Sequence, residues 1–463
     1  MGSVQSQVLS TLKKMVLPTM SGMVVTFLFQ LVDTFFIGQL GMEQLAAVGF
    51  TYPLYFGVVS LFMGLTTGVG AAVGQTFGKK DEQGVKESTS LSILLTVVLS
   101  LGMSWLLLQV RHPLYGLLGA STNLVPYIDE YMVIILTGMP LLLITLTSIA
   151  GLRATGNALV PELMMAFGGL VNLVLDYVLI FGVGPFPAMG IAGAALATAI
   201  SWGVVLVSVG LLMVYKKQWT LRIPLNHLLR WSKLIFQVAL PAMGVQVILP
   251  LATAFITRYV SMSGPEAVAA FGIATKIETL GSTLILAMGV VLVPVAATHY
   301  GAKEQAHLEA VVAQSGKIST YWSLVLYGLL LVFANPIARI FTQAPQVVAH
   351  TALYLRIVGA SYPLMGIALI TNALFNGVDQ PLSALKITLV KYVAILIPAL
   401  LIGARAGTPG IWIALAITHV LGGLVAARSF TRWLWSQKSA IADVSLLEEY
   451  GNDLKRFVGK LRR

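Results

Sequence analysis

The chain has 463 residues, of which 57% are hydrophobic and only 10% charged. Soluble domains carry about 25% charged residues, so a water-soluble fold of this length is excluded. The net charge is +11 and cysteine is absent, which rules out disulfides, thiolate metal sites and cysteine nucleophiles. No metal or other cofactor is implied.

Apolar runs of membrane-spanning length, about 20 residues, recur along the whole chain. They predict twelve spans: 16–38, 46–76, 88–110, 127–152, 160–183, 190–215, 235–258, 268–298, 311–334, 351–375, 382–403 and 409–428. Span one follows Lys13-Lys14, is long enough to cross, and lacks a small-residue cleavage site. Pro18 and Gly22 lie one turn apart near its start. Proline removes a backbone hydrogen bond and glycine relaxes the chain, so the pair is a candidate hinge.

Asp33 sits well inside span one. A central Asp costs about 2.5–3.5 kcal/mol on insertion scales, so such residues face an interior and carry function. An acid there is neutral when dry and ionised when water or a cation reaches it. A structural Asp bonded to nearby backbone or hydroxyls is the competing reading. In span five, Asn172 and Asp176 are one turn apart on one face. If that face meets span one, the two acids can share a proton and titrate together; otherwise Asn172 and Asp176 are a packing pair.

Span eight holds Lys276 and Glu278. Two residues apart on a helix they do not face each other, so each needs another partner, in a structural or gating role. Lys391 in span eleven, and His299 and His419 near span ends, stay unassigned. Residues 431–463 read as a basic amphipathic helix on the cytoplasmic membrane face or as a solvated tail.

The chain repeats itself at a shift of 223 residues. Leu17-Pro18 recurs as Leu240-Pro241, Gly41 as Gly264, Gly78 as Gly301, Tyr131 as Tyr354 and Pro140 as Pro363. After a three-residue deletion Gly190-Ile191 and Thr198 match Gly410-Ile411 and Thr418. Six spans per half is an even number, so the repeats are parallel and related by an axis along the membrane normal. The fold class is therefore all-α integral membrane, with an N-lobe over 1–222, a cytoplasmic linker over 223–234, a C-lobe over 235–430 and the tail over 431–463. Ile256 stands where Asp33 would be repeated, and Val245 where Gly22 would be. The titratable machinery is thus confined to the first half. With the N-terminus in the cytoplasm, Lys and Arg collect on the inner side, as the positive-inside rule requires. That placement orients the protein against anionic lipid and argues against nucleic acid.

Several stretches together resemble one family. They are Leu17-Pro18, Leu31-Val32-Asp33-Thr34-Phe35-Phe36-Ile37-Gly38, Gly74-Gln75-Thr76-Phe77-Gly78, Arg153-Ala154-Thr155-Gly156-Asn157, Asn172 with Asp176-Tyr177, and Gly190-Ile191-Ala192-Gly193-Ala194-Ala195. Over nearly its whole length the chain resembles the MATE (multidrug and toxic compound extrusion) transporters, and their DinF-type branch in particular. NorM-type carboxylates in spans seven and ten have no counterpart here.

The resemblance implies a cation-coupled antiporter, with H⁺ or Na⁺ entering through Asp33, Asn172 and Asp176. Cargo would be amphiphilic, often cationic, compounds exported by alternating access. It places Tyr131 and Thr198 in an N-lobe cavity. Tyr131 near a span end also fits an interfacial anchor, and Thr198, echoed by Thr418, also fits packing. Span one would bend as Asp33 changes protonation. The expected setting is a bacterial or archaeal cytoplasmic membrane, both termini inside, as a monomer among lipids.

A lipid-linked oligosaccharide flippase is the nearest alternative. It should hold pyrophosphate with several interior basic residues, and only Lys276 and Lys391 qualify. An intramembrane aspartyl protease lacks its Gly-x-Gly-Asp motif, so no enzyme is expected. A channel lacks any filter sequence.

Overall fold

The computed structural model of the chain describes residues 2–117, 122–220 and 223–436. Of the expected tail, 437–463 lies outside the described residues. Those described are almost wholly helical, with no strand. Helices satisfy their backbone groups internally, which is what a lipid interior demands.

One compact unit comprises Lys14–Val247. Its elements are α1 (Gly2–Leu40) from Lys14 onward, α2 (Met42–Gly78), α3 (Glu82–Leu117), α4 (Val125–Ala154), α5 (Leu159–Phe181), α6 (Gly190–Tyr215) and the first part of α7 (Leu225–Ser261). Its core is built from Ile37, Leu65, Val69, Met132, Ile135, Met139 and Ile235. Gly64 and Gly68, one turn apart on α2, lie against the α7 backbone at Met243 and Ile235. Lacking Cβ atoms, they let two helices approach as small residues do in membranes.

The stretch expected as a linker over 223–234 is mostly helix, because α7 begins at Leu225. Its polar residues have partners. Glu87 of α3, only 3% exposed, accepts from Trp231 Nε1 at 3.0 Å and Gln83 Nε2 at 3.0 Å. His227 Nδ1 lies 2.7 Å from the same carboxylate. His227, which interrupts the hydropathy, therefore clamps α7 onto α3.

The other unit comprises Met1–Lys13 with Ile248–Arg463. It contains the rest of α7, then α8 (Pro265–Gly281), α9 (Thr283–Gly301), α10 (Gln305–Phe341), α11 (Pro345–Gly359), α12 (Tyr362–Gly377) and α13 (Pro381–Leu389). A π-helical stretch, Val390–Leu396, leads into α14 (Ile397–Gly403), a 3-10 turn at Ala404–Ala406 and α15 (Gly407–Ser436). Trp412, Tyr362, Leu355, Val260 and Phe271 fill its core.

Among the described residues, ten stretches are long and apolar enough to cross a membrane, or eleven when α11 and α12, bent by 60°, count as one. The sequence led to an expectation of twelve; two stretches depart from one run per pass. Pro381–Leu434, 54 residues, is one apolar stretch, far longer than the roughly 20 residues a crossing needs. It doubles back at the 3-10 turn, with Gly403 against the Gly410 backbone and the Lys391 stem across Gly422. Span eight is broken at Ser282 into α8 and α9, and α9 alone meets the length requirement.

The 223-residue repeat is visible in the backbone. The α2 bounds, Met42 and Gly78, become Pro265 and Gly301, the outer bounds of α8 and α9. Left-handed residues recur as Gly41 and Gly264, Lys80 and Lys303, Gly156 and Asp379. At 80, 217 and 303 the residue follows a helix end in a Schellman arrangement. The copies also differ: α4 runs unbroken through Pro140, whereas the second half bends sharply just before Pro363.

Candidate functional site

Four helices of the Lys14–Val247 unit bring the sequence-selected polar residues together. Gly193, near the start of α6, lies on the backbone of Leu179 in α5, which seats Thr198 opposite Asn172. Gly169 of α5 receives the ring of Phe29, one turn before Asp33 on α1. Both contacts depend on glycine, since a methyl group at either position would overlap its neighbour.

Asn172 Nδ2 donates to Asp176 Oδ1 at 3.4 Å and to Thr198 Oγ1 at 3.4 Å. The Asp33 and Asp176 carboxyl groups interact directly. Tyr131, 9% exposed, lies close enough to feel both. Its buried position beside the acids sets it apart from an interfacial anchor. Asp33 Oδ1 and Asp176 Oδ2 are buried and receive no hydrogen bond. Two ionised carboxylates at contact repel, so a proton or cation between them relieves both the charge and the missing donors.

Sequence reasoning missed two features here. Tyr55 of α2 lies beside Tyr131 and stacks on Trp202 of α6, centroids 6.1 Å apart and rings 7° from parallel. Glu162, 7% exposed at the start of α5, pairs with Arg153 and packs directly on Gly22. An acid nine residues beyond an Arg, inside an apolar span, was the available signal. At the candidate hinge, α1 continues without a break through Pro18 and Gly22. Gly22 is where the Glu162 carboxylate sits.

Lys276 and Glu278 lie in different surroundings. Lys276 is exposed, and Glu278 accepts from Tyr354 at 2.8 Å and Tyr362 at 3.2 Å. His419 Nδ1 lies 3.1 Å from Ser361 Oγ, and His299 shares Glu304 with His307.

The family model for MatE matches residues 18–178 and again 241–401, two stretches 223 residues apart. The chain is 34% identical over 436 residues to an FAD transporter of Shewanella oneidensis, covering 93% of this chain and 96% of that protein. It is 24% identical to a probable multidrug resistance protein NorM of Thermotoga maritima, covering 92% and 93%. Among solved structures it resembles the Vibrio cholerae MATE transporter VcmN in the bent form, with a TM-score of 0.89 at 28% identity over 94% of this chain and 98% of that one. It also resembles a Pyrococcus furiosus transporter of the MOP superfamily, whose reversed binding-pocket polarity suggests a different function; the TM-score is 0.85 at 26% identity, covering 93% and 96%. With both halves matched and the two-lobed helical architecture in place, the chain belongs to the MatE family of membrane efflux transporters.

Proposed function

We propose that this chain is a cation-coupled antiporter, with H⁺ as the coupling ion, that exports amphiphilic organic compounds by alternating access. The observation that carries this reading is the facing pair Asp33 and Asp176, each with a buried oxygen that no donor reaches. Protonation of Asp33 neutralises one of the two facing acids, and α1 answers by bending at Pro18 and Gly22; release of the proton restores the straight form. Asn172, Thr198 and Tyr131 orient the carboxyls. A potential of 100 mV contributes about 2.3 kcal/mol per charge moved, enough to sustain a steep cargo gradient.

The setting is a prokaryotic cytoplasmic membrane with both termini inside, and the working unit is a monomer. Cationic dyes suit the two acids. The name of the Shewanella oneidensis relative makes FAD the other cargo to assay. A lipid-linked oligosaccharide flippase is disfavoured, because Lys276 and Lys391 alone are too few to cradle such a headgroup.

Asp33→Asn should abolish ethidium export from cells lacking other exporters, while membrane-fraction blots show normal insertion. Undiminished resistance would remove Asp33 from the mechanism. In liposomes, efflux driven by an imposed ΔpH and indifferent to ΔpNa is the expected result.

A further inference from the structure

The unit containing Ile248–Arg463 has its own buried polar cluster, and it lies where the helices are least regular. α8 stops at Gly281, three residues after Glu278. The 60° bend between α11 and α12 falls between Tyr354 and Tyr362, the two donors to Glu278. The π-helical stretch contains Lys391. Interrupted helices and π-turns gather at functional sites, where displaced backbone lines a binding place.

Lys391 is 8% exposed and makes no hydrogen bond or ion pair among the described residues. Its stem is held against Gly422 of α15, and its ammonium lies 4.9 Å from the Tyr392 ring centroid. The charged or titratable groups that face it are Glu278 and His419. Neither is in contact: Glu278 is held by its two tyrosines and His419 by Ser361. An ammonium so little exposed, with no bonded counter-ion, is a favourable place for an anionic group.

The repeat supports this placement. Glu278 occupies the position of Tyr55, and Tyr354 that of Tyr131, so this cluster answers in the second half to the two tyrosines beside the paired acids in the first. One half presents two carboxyls that want a cation. The other presents an ammonium that wants an anion.

We infer that Lys391 anchors a phosphate or carboxylate group of the exported compound, with the Tyr392 ring beside it and Glu278 held aside by Tyr354 and Tyr362. The inference rests on the exporter reading above and narrows its cargo to compounds that include organic anions.

Riboflavin, FMN and FAD share one fluorescent ring and differ in phosphate content, so they isolate the charge. Their binding is measured by fluorescence anisotropy on the full chain in lipid nanodiscs. The native protein should bind FMN and FAD at least about ten-fold more tightly than riboflavin. Lys391→Gln should erase that difference without altering riboflavin binding, and Lys391→Arg should keep it. Glu278→Gln removes the competing carboxylate and should tighten FMN several-fold while leaving riboflavin unchanged.

The inference is overturned if the native protein binds no flavin or fails to discriminate among them. It also fails if Lys391→Gln weakens all three alike while Glu278→Gln leaves FMN unimproved. Asp33→Asn should still discriminate. Loss of coupling in that variant with flavin selectivity intact separates the two readings.

Discussion

Single side chains decide whether the first-half cluster exists. Glu162 fills the notch that Gly22 leaves on α1, and Arg153 holds it there. Gly22→Val would push the carboxylate off its partner. Overpacking of this kind costs about 1–3 kcal/mol, so the melting temperature in detergent should fall by several degrees. An unchanged melting temperature would mean that α1 shifts freely at this point. Asp33, Asn172 and Asp176 were legible because acids and amides are rare in apolar spans, and their spacing gives them a shared face. Tyr55 and Trp202 were not, because an aromatic in a spanning helix is ordinarily lipid-facing or core. Only the folded chain stacks them beside Tyr131.

Elements were read well where hydrophobic length alone defines them and less well where the helix is interrupted. Spans eight and ten were foreseen as single runs, since hydropathy does not register the break at Ser282 or the bend before Pro363. The stretch over 223–234, expected as a linker, shows its helix only in the fold. Its polar residues lower the hydropathy, yet Glu87 gives His227 and Trp231 a buried acceptor and makes the stretch helix. Glu87→Ala would strip the acceptor from three donors at once. Hydrogen bonds to a charged group are worth about 1.5–3 kcal/mol each, and buried donors left alone cost more. Loss of at least about 2 kcal/mol is expected, visible as early unfolding of the α3–α7 contact in hydrogen exchange. Unaltered protection at residues 225–235 would show the clamp to be dispensable.

At the scale of the molecule, duplication explains most of what was legible: two matched halves and their equivalent turns follow from one register of 223 residues. The register also showed that Asp33 has no counterpart in the second copy; what it hid is the ammonium of Lys391 there, with no bonded counter-ion among the described residues. The turns carry a further consequence. Lys80, Lys217 and Lys303 each close a helix in a backbone conformation that glycine adopts with least strain. A bulky cation kept there despite a strain of about 1–2 kcal/mol gains something glycine lacks, namely attraction to anionic headgroups of about 1 kcal/mol per charge. With both termini inside, as proposed above, these corners would act as stakes that fix which way each hairpin is threaded during insertion. Replacing all three lysines by glycine should preserve the turns yet let a measurable fraction of newly made chains thread backwards. Fusions to a reporter that glows only in the cytoplasm would count that fraction, and an unchanged signal would show that orientation is decided elsewhere in the sequence.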